Sequence, residues 1–491
     1  MASLSFDLFR SEPDAVPRRP APLEPRTWQR HLIQLLRARL HDPDPSRRDV
    51  LLHAGPGAGK TLGALLGFQR MRKEGHLDVL LVFCHRTSIA RQWYGAAERL
   101  GLRLREWGES DPTSTECATA PDGWLLSYQA AARQREHLTM ALPQALSGQR
   151  WLAIADEVHH LGLDPDEPES TAWGQAFSEL TAPARLRLGL SGTPFRADAL
   201  AFCAARRIQV REAGKLIERI IPDLCVEPHR LILAGDVRPL AFRFQDGWVE
   251  HGRCDGEVAS QTSPLSQEDR ESWRARNLRR AIQPGDAGGI AQRLLLQARA
   301  RLERINVEHP GAGGLVIARD INHARRLERL LREEGEAVVL AHSQDSDASS
   351  RLSSFRSGHG RWLVTVDMCS EGFDAPRLRV VVYLSTVVTR SRFVQAITRA
   401  VRIEADRMAL EAIPRALSYV FAPADPLLIA HARTWSRSEP YVLRSQDQEP
   451  TGAPASLGAA GAQPLTPLAD GAGAVIRMGG PQLPGFLSRS A

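Results

Sequence analysis

The segment Ala54-Gly55-Pro56-Gly57-Ala58-Gly59-Lys60-Thr61 constrains this chain more than any other stretch. It follows the apolar run Val50-Leu51-Leu52 and opens an amphipathic stretch near 61–73, so it reads as a turn from a buried strand into a helix. In that setting glycines let backbone N–H groups wrap phosphate oxygens, and the helix N-terminus adds a favourable dipole. Gly55, Pro56, Gly57, Ala58 and Gly59 form the cradle, Lys60 reaches the β- and γ-phosphates, and the Thr61 hydroxyl can ligate magnesium. The strict pattern has glycine where Ala54 stands. Alone, the loop says only that a nucleotide binds.

Short apolar runs alternate with helical patterns on both sides of it. Val50–Leu52, Val79–Phe83, Trp124–Leu126, Trp151–Ala155 and Leu186–Leu190 read as buried parallel strands. Stretches near 61–73, 88–100, 129–146 and 172–181 fit as their crossover helices. A second series has strands at Gly314–Ala318, Ala337–Leu340, Leu363–Val366 and Val380–Leu384, with helices near 321–334, 347–356 and 391–403. The expectation is an α/β protein of two parallel-sheet lobes, at 26–205 and 289–436. Residues 1–25 are proline-rich, and 206–288 form a connecting region. In that region Gly235–His251 looks β-rich and Ser260–Arg280 polar and exposed. The tail 437–491 is low in complexity, with Gly, Ala and Pro making up over half of it from Pro450 onward, and is expected to lack regular structure.

Composition excludes some classes. No apolar run approaches the ~20 residues of a membrane span, and the start Met1–Asp7 has no basic, then apolar, pattern of a secretion signal, so a cytoplasmic protein without a membrane partner is expected. The six cysteines are scattered without a Cys-x-x-Cys pair and read as reduced thiols. A net charge of +6 hints weakly at a polyanionic partner. All but Lys60, Lys73 and Lys215 of the 63 basic residues are arginine.

Asp156-Glu157-Val158-His159-His160 follows the strand Trp151–Ala155. The first carboxylate at such a strand end can hold Mg²⁺ through water, and the second can orient or deprotonate an attacking water. Two adjacent histidines could also ligate a metal, but no third ligand is indicated.

Together these motifs resemble motifs I and II of the superfamily-two helicases, in the type III restriction branch, where alanine at position 54 is expected. Further motifs follow in the family's order. Arg26-Thr27-Trp28-Gln29 is similar to the element before motif I, which implies that Gln29 contacts the adenine. His85-Arg86-Thr87 with Gln92-Trp93 resembles motif Ia, and Ser127-Tyr128-Gln129 a later nucleic-acid contact. Ser191-Gly192-Thr193-Pro194-Phe195-Arg196 matches motif III, and Gly314–Ala318 is placed like motif IV. Ser370-Glu371-Gly372-Phe373-Asp374-Ala375-Pro376 looks like motif V. Gln395-Ala396-Ile397-Thr398-Arg399-Ala400-Val401-Arg402 resembles motif VI, with threonine at 398 in place of glycine.

The resemblance implies two RecA-like lobes, a tandem P-loop NTPase fold, hydrolysing ATP with Mg²⁺ between them. Thr61 and Asp156 would hold the metal, and Gly372 and Asp374 would join the nucleotide site. Lys60, Glu157, Arg399 and Arg402 would be catalytic, the two arginines three apart on one helix face. Arg86, His159, Ser191, Thr193, Glu371 and Gln395 would couple hydrolysis to nucleic acid. The expected activity is that of a helicase or translocase on single-stranded or duplex DNA. An RNA helicase, an RNA-sensing ATPase and a non-catalytic adaptor are the alternatives. The residues two before each lysine are Ala58, Met71 and Ala213, so neither a Glu-x-Lys nor a His-x-Lys nuclease core is encoded. Cutting, if coupled to this chain, belongs to a separate nuclease or defence partner.

Overall fold

The computed structural model describes residues 24–85, 87–108, 120–161, 168–192, 206–212, 215–253, 261–268, 270–285, 289–366, 373–436, 441–443 and 472–479. The first lobe carries β1 (Asp49–Ala54), β2 (Val79–Cys84), β3 (Leu104–Glu106), β4 (Gly123–Ser127), β5 (Trp151–Asp156) and β6 (Leu186–Ser191). They run parallel in the order β3-β4-β2-β5-β6-β1. All six residues of β2 and of β5 are buried, as continuous apolar runs require in a sheet covered on both faces.

The connecting region does not form a unit of its own. Its hairpin β7 (Arg206–Glu212) and β8 (Lys215–Ile221) is followed by β9 (Leu224–Val226), which pairs parallel with β1 and extends the first sheet. Next comes β10 (Leu240–Gln245), which belongs to the second sheet; β11 (Trp248–Arg253) and β12 (Gln261–Pro264) form an antiparallel pair. The second sheet continues with β13 (Gly313–Ala318), β14 (Val338–Ala341), β15 (Trp362–Val366), β16 (Leu378–Leu384) and β17 (Ser418–Pro423). Its order is β10-β17-β16-β13-β15-β14, again all parallel. Each sheet thus recruits one strand from the connector 206–288.

Three other expectations change. Ser260–Arg280 is not an exposed stretch, because the helix Glu271–Ala281 buries Trp273, Ala275 and Leu278. Its charges are accommodated by partners: Arg274 lies 3.5 Å from the fully buried Asp425, and Arg270 sits 3.1 Å over the Trp273 ring. The helix foreseen over 129–146 is two, Tyr128–Arg133 and Arg135–Ala145, broken at Gln134. Two stretches of the tail are strands: β18 (Tyr441–Leu443) pairs with β8, and β19 (Ala472–Gly479) with β11. Both hold β-prone residues, Tyr441-Val442-Leu443 and Val475-Ile476, within an otherwise small-residue tail.

The helix Thr27–His41 sets up the site. Trp28, Leu32, Leu36 and Leu40, spaced four apart on one face, are all buried. They pack on the helix Lys60–Lys73, where a Cβ at Gly63 would come 2.7 Å from the Trp28 ring and one at Gly67 2.7 Å from Leu36. Each glycine costs about 1 kcal/mol of helix propensity, offset by the close approach it permits. Cys84 and Cys225 are free thiols, and burial pushes Cys84 up to about 12; the other four cysteines lie outside the described residues. Among the described residues no helix is long and apolar enough to cross a membrane.

Candidate nucleotide site between the two lobes

Strands β5, β6 and β1 are neighbours, so their C-terminal ends bring Asp156-Glu157, Ser191-Gly192 and the phosphate loop together. The loop turns on Gly57 and Gly59, with φ of 80° and 82°, a conformation that side chains with a Cβ rarely adopt. Its carbonyls are pinned from one side. Arg26 Nη1 donates to Gly57 O at 3.2 Å and Ala58 O at 2.9 Å, and Gln29 Nε2 donates to Gly59 O at 3.2 Å. In a trans peptide the N–H points opposite to the C=O. Holding these three carbonyls therefore turns the N–H groups of Ala58, Gly59 and Lys60 the other way. The Ala58 N–H closes the turn on Gly55 O, which leaves those of Gly59 and Lys60 for a phosphate. Gln29, expected to contact the base, is 1% exposed; its amide oxygen accepts the Arg26 N–H at 2.9 Å, so both ends are engaged by the chain itself.

Beyond the loop, Lys60 Nζ lies 3.6 Å from Glu157 Oε1 and 3.5 Å from Ala54 O. Glu157 has φ 51°, the one positive φ at a non-glycine among the described residues. Such a conformation costs on the order of 1 kcal/mol or more and tends to mark functional positions. It aims the carboxylate at Lys60 and at the Gly192 N–H, 3.3 Å from Oε2. Asp156 is buried at 5% exposure; Trp93 Nε1 donates to its Oδ2 at 2.7 Å and the Glu157 N–H to its Oδ1 at 3.0 Å. Burial, then the neighbouring Glu157 charge, pushes the Asp156 carboxyl upward, against Lys60 and Trp93. Burial and the Lys60 charge bring His53, on β1, down to about 4, so it is neutral at pH 7.

The second lobe meets the loop at Gly57. A Cβ there would lie 3.3 Å from Val401 Cγ2 and 3.7 Å from Arg402 Cγ. The helix Arg390–Ile397 tightens into a 3-10 turn, Thr398–Val401, and Arg402 is extended at φ −71°, ψ 151°. Arg399 and Arg402 thus sit on a 3-10 turn and its C-terminal cap, not on an α-helix, and both reach the neighbouring residues Phe373 and Asp374. Thr398 Oγ1 donates back to Val394 O at 2.5 Å, and side-chain bonds of this kind perturb a helix end. Arg399 Nη1 donates to Phe373 O at 2.7 Å, and Arg402 Nη1 is 2.5 Å from Asp374 Oδ1. Burial opposes ionisation of Asp374, but the guanidiniums of Arg402, Arg399 and Arg356 together outweigh it and hold the carboxyl below its ordinary range. Gln395 has a buried Oε1 that accepts no hydrogen bond among the described residues.

Other expected positions are distributed as follows. Ser191 is 1% exposed at the end of β6, and Thr61 is half-buried at the helix start. Trp93, read with motif Ia, is fully buried against Asp156 and presents no surface to a strand. Arg86, Thr193, Glu371 and Gly372 lie outside the described residues, as does the His159 side chain. Sequence reasoning passed over Arg26 as a loop brace, Gly192, and the connector residues Pro228 and Val237, which come to 2.9 Å and 3.0 Å of a Cβ at Gly55 and Gly57. Arg26 and Gly192 stand inside quoted motifs; the connector pair has no local signal.

The donor set suits a nucleoside triphosphate with magnesium: free loop N–H groups, one lysine, a strand-end carboxylate beside a hydroxyl, and glycines where a Cβ would fill the cradle. Residues 22–196 match the type III restriction enzyme res subunit, and residues 297–404 the helicase conserved C-terminal domain. An uncharacterized protein of Mycobacterium leprae (strain TN) is 31% identical over 439 residues, 87% of this chain and 67% of its own. One from Mycobacterium tuberculosis (strain CDC 1551 / Oshkosh) is 31% identical over 435 residues, 86% of this chain and 65% of its own. The chain thus spans about two thirds of the length of these relatives. The solved structure of S. cerevisiae Dbp5 bound to RNA and ADP BeF3 has the same fold, with a TM-score of 0.50 at 14% identity over 85% of this chain and 89% of that one. With two parallel-sheet lobes meeting at a phosphate loop and both helicase domains matched, the chain belongs to the superfamily-two helicases, in the branch of the type III restriction enzyme res subunit.

Proposed function

We propose that this protein hydrolyses ATP between its lobes and uses the cycle to translocate along DNA. The observation that carries the reading is the meeting at Gly57, where the loop of one lobe touches Val401 and Arg402 of the other. Lys60 and the N–H groups of Gly59 and Lys60 bind the phosphates. Magnesium, held by Thr61 and through water by Asp156, would offset charge on the β- and γ-phosphate oxygens. The Glu157 carboxylate, oriented by Lys60 and the Gly192 N–H, takes the proton of the attacking water. Arg399 and Arg402 face charge on the transferred phosphoryl group once released from Phe373 and Asp374. Lobe closure would complete the site and hydrolysis would reopen it, stepping a strand bound across both lobes.

DNA is the favoured substrate because the matched family is that of a restriction enzyme subunit; a separate nuclease would supply any cutting. Contacts mainly to phosphates make binding salt-sensitive and tolerant of sequence. The test is ATPase rate with single-stranded DNA, duplex DNA and RNA. Stimulation by DNA above RNA supports the proposal, and stimulation by RNA alone reassigns the substrate. A rate unmoved by every nucleic acid favours an adaptor.

A further inference from the structure

Between the lobes, Gly235–Arg238 touches both halves of the site. On the first-lobe side, Arg26 Nε lies 3.3 Å from Asp236 Oδ1 while Nη1 of the same guanidinium holds Gly57 O and Ala58 O. Val237 packs at Gly57. On the second-lobe side, the Arg238 N–H donates to Val401 O at 2.8 Å, between the two motif VI arginines, and Arg238 Nη1 donates to Glu411 Oε1 at 2.6 Å. Arg415 Nε donates to Gly235 O at 2.9 Å and its charge also faces Asp236.

We propose that Asp236 is a positioning residue that, through Arg26, latches the phosphate loop to the connector, so that the loop and the turn carrying Arg399 and Arg402 are set together. The inference rests on the nucleotide reading above. Arginine suits the latch because its planar fork presents separate donors to a carboxylate and to carbonyls at once. Side chains of Arg26 and Asp236 are only 22% and 19% exposed, so the pair is partly shielded from water. Loss of the Asp236 charge would free the guanidinium to leave the carbonyls, and the loop peptides could then rotate their N–H groups away from a phosphate.

The test is a double-mutant cycle on the full chain, titrating a fluorescent ADP analogue with magnesium into wild type, Asp236→Asn, Arg26→Gln and the double variant. Each single change is expected to weaken binding about fivefold, with the double variant no weaker than Arg26→Gln alone. Asp236→Glu should recover affinity to within about twofold. At saturating ATP, Asp236→Asn should also lower nucleic-acid-stimulated kcat, which a purely local support of the loop would leave alone. Should Arg26→Gln fail to fold, Arg26→Lys takes its place with the same requirement. Additive losses, or wild-type affinity in Asp236→Asn, overturn the latch alone. A wild-type chain that binds no nucleotide overturns the nucleotide reading and the latch with it.

Discussion

Replacing Gly192 with alanine tests the site at its tightest point. The added Cβ would stand 2.5 Å from Lys60 Nζ and 3.7 Å from Glu157 Oε1. Ordinary contact begins near 3.4 Å, so the ammonium must retreat by about 1 Å from its place between Ala54 O and Glu157. Little folding stability is at stake, because the atom displaced is the free end of a flexible side chain and Gly192 has no positive φ. A change below about 1 kcal/mol is expected, seen as a small shift in Tm. Nucleotide binding should suffer much more. A charged contact to phosphate contributes roughly 1.5–3 kcal/mol, so a displaced Lys60 should weaken MgATP binding by about tenfold to a hundredfold. The Gly192 N–H still reaches Glu157 Oε2, since the donor is backbone, so turnover at saturating ATP should fall less than affinity. The assay is MgATP titration and steady-state ATPase of Gly192→Ala in wild-type and Lys60→Ala backgrounds. In the second background the alanine should add almost nothing. Equal losses in both would refute the steric argument, as would unchanged affinity in a folded Gly192→Ala protein.

Lys60→Ala should weaken both binding and turnover, whereas Glu157→Gln should retain ATP and stop hydrolysis; near-normal phosphate release by Glu157→Gln removes it from the catalytic role. Trp93→Phe deletes the hydrogen bond that favours ionised Asp156, so a carboxyl already raised by burial and Glu157 rises further. Activity that needs this group ionised is lost as pH falls through its pKa, so the acid limb of the ATPase profile at limiting magnesium should move up by about one unit; an unmoved limb in folded protein counts against Asp156 as the metal-holding group. Arg402→Ala should cut stimulated turnover by on the order of 10³ or more, with Arg402→Lys intermediate because it loses the fork, while nucleic-acid affinity measured by anisotropy changes far less. Truncation after Glu449 removes β19 and bares the β11 edge, so solubility should fall while ATPase per folded molecule persists; loss of ATPase in a folded, monomeric truncation would show that the tail supports the lobes.

What is local in this protein is written plainly in its residues. Runs such as Val79–Phe83 and Val380–Leu384 are too apolar to be anything but buried strands, and they are. The loop Ala54–Thr61 and the pair Asp156-Glu157 sit at strand ends in both readings, because turn chemistry and strand burial are properties of neighbouring residues. The helix Ile290–Glu308, absent from the sequence expectations, carries Leu294, Leu295, Ala298 and Leu302 on one buried face, a spacing present in its own residues. Other features were decided only by the tertiary structure. The three-residue strand β9 carries no periodic signal, and the alternation Leu240, Phe242, Phe244 marks β10 as a strand without naming its partner, so which sheet each joins depends on an unpaired edge elsewhere in the fold. Glu157 is held in a left-handed conformation by partners at Lys60 and Gly192, not by its neighbours' propensities. Arg402 meets Asp374 and Arg26 meets Asp236 across long stretches of chain. Such pairs leave no trace in local pattern, because an ion pair is set by distance in space, and distance is known only once both lobes have packed.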